Sequence, residues 1–285
     1  RKIPTQLAQQ VQRIRTQTVQ LFHIKKSKIM KYLIITICLC CSSLYAGGLY
    51  ENTLNSNDAA AQLDLGMMYF KDAEFGKSLP LLQKSANQGN AIAQNTIGAA
   101  YQEAWGVSQD YTKALYWYSK AADQGYGPSL LNLGVMYQQG LGVQQDYAKA
   151  LSWYLKAAEK GEEIAQLRIG ILYEKGLGVS QDYKKAFYWY SKAAEKGAAG
   201  AENNLGVFYS RGLGVKQDHK KAFNLYLKAA EKGDDLAQLN VGMMYFGGKG
   251  TKQDYAQAMS WLVKSAEQGN IQAQNAIKDI TALLQ

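Results

Sequence analysis

The sequence predicts an all-α fold, a solenoid of about six antiparallel helix pairs that ends in a single capping helix. Two observations support this prediction. Apolar residues recur at helical spacing in both halves of a repeating unit, and the whole chain contains only three prolines. A glycine recurs every 36 residues, and a tyrosine follows each glycine three residues later. These positions are Gly98, Gly134, Gly170, Gly206 and Gly242, with Tyr101, Tyr137, Tyr173, Tyr209 and Tyr245.

Each unit consists of two amphipathic halves that a single unit could not bury by itself. In one first helix, Ala237, Val241 and Met244 form the apolar side. Gly242 costs helix propensity, so its recurrence in one slot indicates a packing role, and together with Ala258 it should let two helix backbones approach closely. Stacking successive units would bury the apolar sides, which predicts a one-dimensional solenoid.

The connection within a unit contains turn and cap signals. Gly176 and Gly178 supply the positive φ needed after the first helix, and Val179 can turn back into the core. Asp182 is the predicted N-cap of the second helix, and Gly197 is its predicted end.

The two ends of the repeat region depart from this pattern. The first copy, around Gly66, has a shorter inter-helix turn, and Pro80 falls near the start of its second helix, where only the first turn tolerates proline. The last helix, predicted at residues 271–284, has Lys278 in the glycine slot and no partner helix, which is typical of a capping helix. The solenoid is therefore predicted to cover residues 57–285.

The unit closely resembles the Sel-1-like repeat, a relative of the tetratricopeptide repeat. The resemblance rests on Ala-x-x-x-Leu/Ile/Val-Gly-x-x-Tyr, then Gly-x-Gly-Val-x-x-Asp-Tyr-x-Lys-Ala, then Trp-Tyr-x-Lys-Ala-Ala-x-x-Gly, across about residues 57–277. It implies a right-handed superhelix and an adaptor role in envelope or host-interaction processes.

The segment before the repeats has the features of export. Residues 30–46 combine a basic start, a short apolar core and a small-residue end, which predicts a signal peptide and a periplasmic or secreted protein. The apolar core is too short to span a bilayer comfortably, so no stable membrane span is expected after cleavage; an uncleaved anchor is the alternative. Residues 1–29 are interpreted as an upstream extension and residues 47–56 as a linker.

Charge and residue counts exclude several classes of function. Eight of the 32 basic residues lie in residues 1–46, which contain no acid, so the rest of the chain has a net charge of +1. A nearly neutral body argues against nucleic-acid binding. The repeats contain no cysteine and one histidine, His219, so no metal site and no cofactor are expected. His219 and the tryptophan slot (Trp117 in the second unit) are interpreted as packing positions.

The candidate site consists of polar positions on the first helices, two residues before and five residues after the repeat glycine, which share one helix face. Asparagine can bind a peptide backbone through its donor and its acceptor, and arginine can bind a carboxylate bidentately. The alternative is an ordinary solvated groove. The predicted site residues are Asn132, Arg168, Lys175, Asn204, Arg211 and Asn240.

These features predict an exported scaffold that binds a protein or peptide partner in its concave groove. One alternative is a weak β-lactamase or penicillin-binding protein, which the resemblance suggests because a cysteine-rich branch of the family is described in that way. The absence of repeat cysteines and of Ser-x-x-Lys argues against it. A purely structural envelope role is a third possibility. The oligomeric state is left open.

Overall fold

The structure is a computed structural model that describes residues 50–284. The chain divides into two compact units, Arg1–Asn57 and Asp58–Gln285. In the first unit, residues 50–55 are helical and occupy most of the predicted linker. The predicted extension and signal peptide lie outside the described residues.

The second unit consists of thirteen consecutive helices between Ala59 and Leu284, and this region contains no strand. Twelve helices form six antiparallel pairs, and the thirteenth has no partner helix, as predicted. The pairs are α1 (Ala59–Lys71) with α2 (Phe75–Asn87), α3 (Ala91–Glu103) with α4 (Tyr111–Asp123), α5 (Gly127–Gln139) with α6 (Tyr147–Glu159), α7 (Glu163–Lys175) with α8 (Tyr183–Glu195), α9 (Ala199–Arg211) with α10 (His219–Glu231), and α11 (Asp235–Gly247) with α12 (Tyr255–Glu267). The last helix is α13 (Ile271–Leu284).

An aspartate caps the second helix of each of the last five pairs. At α8, Asp182 accepts a hydrogen bond from the backbone N–H of Lys185 at 3.0 Å, which confirms the predicted cap. The bond satisfies one of the free N–H groups of the first turn, and such caps contribute about 1 kcal/mol each. The same bond forms at Asp110, Asp146, Asp218 and Asp254.

The glutamine before each of these aspartates fastens the loop to the first helix. Gln181 Nε2 donates to the backbone carbonyl of Glu174 at 2.7 Å. The equivalent bonds in the other four long loops measure 2.7–2.8 Å. The second loop glycine packs against the preceding pair, because a Cβ on Gly178 would lie 2.5 Å from the backbone nitrogen of Ala148. Each loop therefore connects its own two helices and also contacts the neighbouring repeat.

The recurring first-helix glycine makes room for a side chain of the second helix. A Cβ on Gly98 would lie 2.7 Å from the ring of Tyr118, and a Cβ on Gly206 would lie 2.6 Å from the ring of Tyr226. We expected close backbone approach at this slot, but in four repeats a tyrosine ring fills the space. At Gly242 the corresponding neighbour is Leu262.

The prediction that Pro80 lies in the first turn of its helix is wrong. Helix α2 begins at Phe75, so Pro80 is its sixth residue. A proline there removes one helical hydrogen bond and crowds the carbonyl four residues earlier, at Gly76. The buried side of α2, which includes Leu81 and Leu82, keeps the helix in place by packing.

Helix α13 covers the end of the solenoid, as predicted. Ala273 and Ile280 are buried and pack with Leu262, whereas most of the remaining side chains are polar and exposed. Within residues 50–284, no helix is both long and apolar enough to cross a bilayer.

Candidate functional site

The first helices of successive pairs lie side by side, and polar contacts join them. Asn132 Nδ2 on α5 donates to Asn95 Oδ1 on α3 at 3.0 Å. Asn240 Nδ2 on α11 donates to Asn203 Oδ1 on α9 at 2.9 Å. We call the solvent-facing surface of these helices the first-helix face. It contains the positions six and two residues before the repeat glycine and one and five residues after it.

The structure places the six predicted site residues on the first-helix face, in three different environments. Lys175 and Arg211 are exposed at the ends of their helices, and Arg168 is half-buried. Asn204 is half-buried and hydrogen-bonds the hydroxyl of Tyr190. Asn132 and Asn240 each use one amide N–H in the asparagine pairs, so the second N–H and the carbonyl oxygen remain for a ligand.

In the second to fifth repeats, the hydroxyl of a second-helix tyrosine reaches the polar residue that stands four positions after the glycine. Tyr118 donates to Gln102 Oε1 at 3.1 Å, and Tyr154 donates to Gln138 Oε1 at 2.6 Å. Tyr190 donates to Glu174. The sequence analysis missed this row, although both residue types recur at fixed spacing.

Burial raises the pKa of these phenols because it disfavours the charged phenolate. For Tyr190, the hydrogen bond to the Glu174 carboxylate raises the pKa further. Burial raises the pKa of Tyr226 to about 12, against the opposing effects of a hydrogen bond to Ser210 and the positive charge of Arg211. The hydroxyls therefore remain protonated donors at neutral pH.

Apolar side chains run along the first-helix face beside these polar groups. Six residues before the glycine, Ile164 is 49% exposed and Leu236 is 47% exposed. One residue after the glycine, Met243 is 42% exposed, and Ile171 and Val207 are half-buried. The predicted site contains only polar positions of this face, so the apolar stripe was not predicted. Ile171, Val207 and Met243 line up on three successive first helices, and such a row of apolar residues at the surface is typical of an interaction surface.

The charge of the first-helix face is concentrated in the fourth and fifth repeats. At the face positions of these two repeats, the charged residues are Arg168, Lys175 and Arg211, and none is acidic. Glu174 is bonded to a tyrosine, and the Glu202 side chain is fully buried between Lys228 and Lys232 at 2.7 Å from each Nζ. The basic side chains Arg168, Lys175 and Arg211 are therefore the main source of net charge on the face.

The packing positions identified in the sequence lie away from this face. Trp117 is buried, and its equivalents in the later repeats are half-buried, with lysine ammonium groups over the rings of Trp153 and Trp261. His219 is half-buried, and its Nδ1 has no hydrogen-bond partner. Among residues 50–284, no group of three or more His, Cys, Asp or Glu side chains is placed to hold a metal ion.

Comparison with known families identifies the repeat. The Sel1 repeat model matches six consecutive segments, residues 59–90, 91–126, 127–162, 164–197, 199–234 and 235–270. The chain belongs to the Sel1 repeat family. The six matches correspond to the six helix pairs, so this Sel1 repeat protein is a scaffold of a family whose repeats generally mediate protein interaction.

Two crystal structures show the same fold. One is c5321, a protective antigen of uropathogenic Escherichia coli strains with an SLR fold: it is 41% identical, with a TM-score of 0.74, over 79% of this Sel1 repeat chain and 49% of the antigen. The chain thus spans about half the length of that antigen. The other is a Sel1 repeat protein of Oxalobacter formigenes, 36% identical over 75% of this chain and 88% of that one, with a TM-score of 0.70. No curated protein matches the chain. The predicted right-handed solenoid is confirmed.

Proposed function

We propose that this Sel1 repeat protein is an exported scaffold that holds a segment of a partner protein on its first-helix face. The observation that carries the proposal is the apolar stripe, exposed at Ile164 and Leu236, which lies beside the basic side chains Arg168 and Arg211. This combination favours a segment that alternates apolar with acidic residues.

The two parts of the face have different roles in binding. Burial of partner side chains on the apolar stripe contributes roughly 25 cal/mol for each Å² of apolar surface removed from water. Arg168 and Arg211 bind carboxylates and so select an acidic segment. Asn204 offers an amide to the partner backbone, and the hydroxyl of Tyr190 fixes its position.

Export is part of the proposal and has two supports. Residues 30–46 have the pattern of a signal peptide. The second support is the similarity to an E. coli protein that is named a protective antigen. We therefore place the protein in the periplasm or outside the cell, with the partner in the envelope or on the host.

Affinity capture tests the proposal. The repeat region from Asp58 onward is immobilised as wild type, as Arg168→Glu/Arg211→Glu, and as Lys156→Glu/Lys264→Glu. The last variant changes the charge equally but at exposed lysines of second helices. Envelope and host-cell extracts are passed over all three columns. We expect one partner protein to be retained by the wild type and by the lysine variant. The amount retained by the arginine variant should be at least tenfold lower. Equal retention by all three columns would contradict the proposal.

The hydrolase alternative rests on the family resemblance alone and remains a prediction. Turnover of a chromogenic β-lactam by the purified protein would support it.

A further inference from the structure

One loop edge of the solenoid contains a row of exposed lysines that the first-helix face does not include. The residues are Lys184 and Lys220, each at the second position of its helix, and Lys216, Lys249 and Lys252 in the loops. We call these five lysines the basic edge. All five side chains are exposed.

Contacts between neighbouring repeats bring these lysines together. A Cβ on Gly214 would lie 3.0 Å from the backbone nitrogen of Lys184, so the loop that carries Lys216 rests on the start of α8. A Cβ on Gly250 would lie 3.0 Å from the backbone nitrogen of Lys220. The loop that carries Lys249 and Lys252 therefore rests on the start of α10. The basic edge is continuous from the fourth repeat to the sixth.

The carboxylates along this edge are mostly compensated by other lysines. Asp182 and Asp218 accept the backbone N–H groups of Lys185 and Lys221. They also lie 3.8 and 3.9 Å from the Nζ atoms of the same two lysines. In the sixth repeat, Gln257 replaces the lysine next to the cap Asp254. Among the described residues of the edge, Asp254 is thus the one cap carboxylate that has no lysine partner of this kind.

The same slots in the earlier repeats are neutral, so the charge is not a requirement of the fold. Lys184 and Lys220 correspond to Thr112 and Ala148, both exposed. Lys216 and Lys252 correspond to Ser108 and Gln144, which are also exposed. The second and third repeats form the same loops and caps without these lysines. A positive charge confined to one part of an otherwise uniform edge indicates an anionic ligand.

The composition of the edge narrows the class of ligand. It contains lysines and no arginine, so it supplies diffuse positive charge and no bidentate fork for either a carboxylate or a phosphate. The net charge of only +1 outside residues 1–46 argues against a nucleic acid as the ligand. The loop residues Leu213 and Val215 pack against the core, which leaves no exposed apolar side chain from this loop for insertion into a bilayer. Arg211 is the last residue of α9, directly before the loop that carries Lys216, so the basic edge continues the first-helix face.

We propose that the basic edge binds an acidic polypeptide segment, as a continuation of the partner segment on the first-helix face. The inference rests on the proposed function for the identity of the partner, but it concerns different residues. Lysines on flexible stems neutralise carboxylates without fixing a precise geometry, so the contact adds affinity and association rate more than specificity.

The test uses a fluorescein-labelled peptide of ten glutamates as the probe, with fluorescence anisotropy at low and at physiological salt. The edge variant is Lys184→Thr/Lys216→Ser/Lys220→Thr/Lys252→Ser, in which each replacement is the residue of the second repeat. The matched control removes four lysines from one slot of the second helices: Lys120→Ser/Lys156→Ser/Lys192→Ser/Lys264→Ser. We expect the edge variant to bind the probe at least tenfold more weakly than the control at low salt, with a smaller dependence on salt.

Two further probes, a single-stranded DNA of ten nucleotides and vesicles of anionic phospholipid, test the class of ligand. Binding of either probe tighter than the peptide, and lost in the edge variant, would overturn the choice of a polypeptide. Equal peptide binding by the edge variant and the control would overturn the site. The affinity capture with Arg168→Glu/Arg211→Glu tests the first-helix face and leaves the five lysines unchanged. A failure of the proposed function can therefore be distinguished from a failure of the basic-edge proposal. Far-UV circular dichroism verifies that each variant folds. Peptide binding by the wild type that does not weaken as the salt concentration rises would also contradict the proposal.

Discussion

Among single residues, the repeat glycine has the strictest requirement, because a tyrosine ring occupies the place of its missing side chain. The glycine is unfavourable for its helix by about 1 kcal/mol relative to alanine. In return, the ring of Tyr226 packs directly against α9, and its hydroxyl reaches the polar residues of the first-helix face. One residue choice thus determines both the packing of a pair and the polarity of the face.

Two glycines of α9 provide a matched test. In Gly206→Ala, the new Cβ would lie 2.6 Å from the Tyr226 ring. We expect a loss of about 1–2 kcal/mol in the free energy of unfolding, because overpacking outweighs the gain in helix propensity. In Gly200→Ala, the nearest atom is a Leu167 methyl at 3.6 Å, so stability should be unchanged or higher. Urea unfolding of the two variants measures both values, and equal stabilities would contradict this explanation.

The recurrence of the glycine predicted its packing role, but not the group that fills the space. The 36-residue period and the residue type predict that this position needs space. Which side chain fills the space depends on the register between the two helices of a pair. Pro80 shows a related limit: α2 begins at Phe75, the position equivalent to Tyr111 in the second repeat, so the proline falls in the second turn.

Among the elements, the junction between a second helix and its own first helix contains a glutamine pair in the first, second and sixth repeats, and an ion pair in the fifth. Gln124 Nε2 donates to Gln94 Oε1 at 2.8 Å, and Gln268 Nε2 donates to Gln238 Oε1 at 2.9 Å. At the equivalent junction in the fifth repeat, the buried Glu202 pairs with Lys232. This exchange was not predicted, because it appears only when the two positions that pair across the junction are compared with each other in every repeat.

We expect Lys232→Ala to lower the free energy of unfolding by roughly 3 kcal/mol, because it leaves a buried carboxylate with one remaining cation, Lys228. The double variant Glu202→Gln/Lys232→Gln copies the pair of the first, second and sixth repeats and should recover stability to within about 1 kcal/mol of the wild type. Chemical denaturation of the wild type and both variants tests this. A double variant as unstable as Lys232→Ala would show that the pair is not interchangeable.

The raised pKa values of the buried tyrosines predict how the stability of the helix pairs changes at alkaline pH. Because burial raises the pKa of Tyr226 to about 12, above the value of about 10 for an unfolded chain, the folded state holds this proton more tightly. Its contribution is complete below pH 10 and disappears as the pH rises through 12. The urea midpoint should therefore fall over this range, and less steeply in Tyr226→Phe. The same slope in both proteins would contradict the assignment.

For the whole molecule, the sequence predicted the fold almost completely because a one-dimensional repeat places each helix beside its sequence neighbours. It was less informative for the candidate site. The six predicted residues lie on one face, but two asparagines already bond to the preceding repeat. The apolar stripe was not predicted, because in the sequence of a single helix an exposed apolar residue is indistinguishable from a core residue. Only the alignment of Ile164, Ile171 and Leu236 across helices shows a surface.

The central claim is that a partner protein binds the first-helix face. Site-specific photo-crosslinking in intact cells tests it most directly, with a photoreactive phenylalanine at Ile171 on that face or at Tyr188, which is 54% exposed on α8. We expect a discrete crosslinked partner from position 171 that is absent from position 188 and is lost when Arg168 and Arg211 are replaced by glutamate. A partner crosslinked only from position 188, or a product from position 171 unaffected by the arginine replacements, would contradict it.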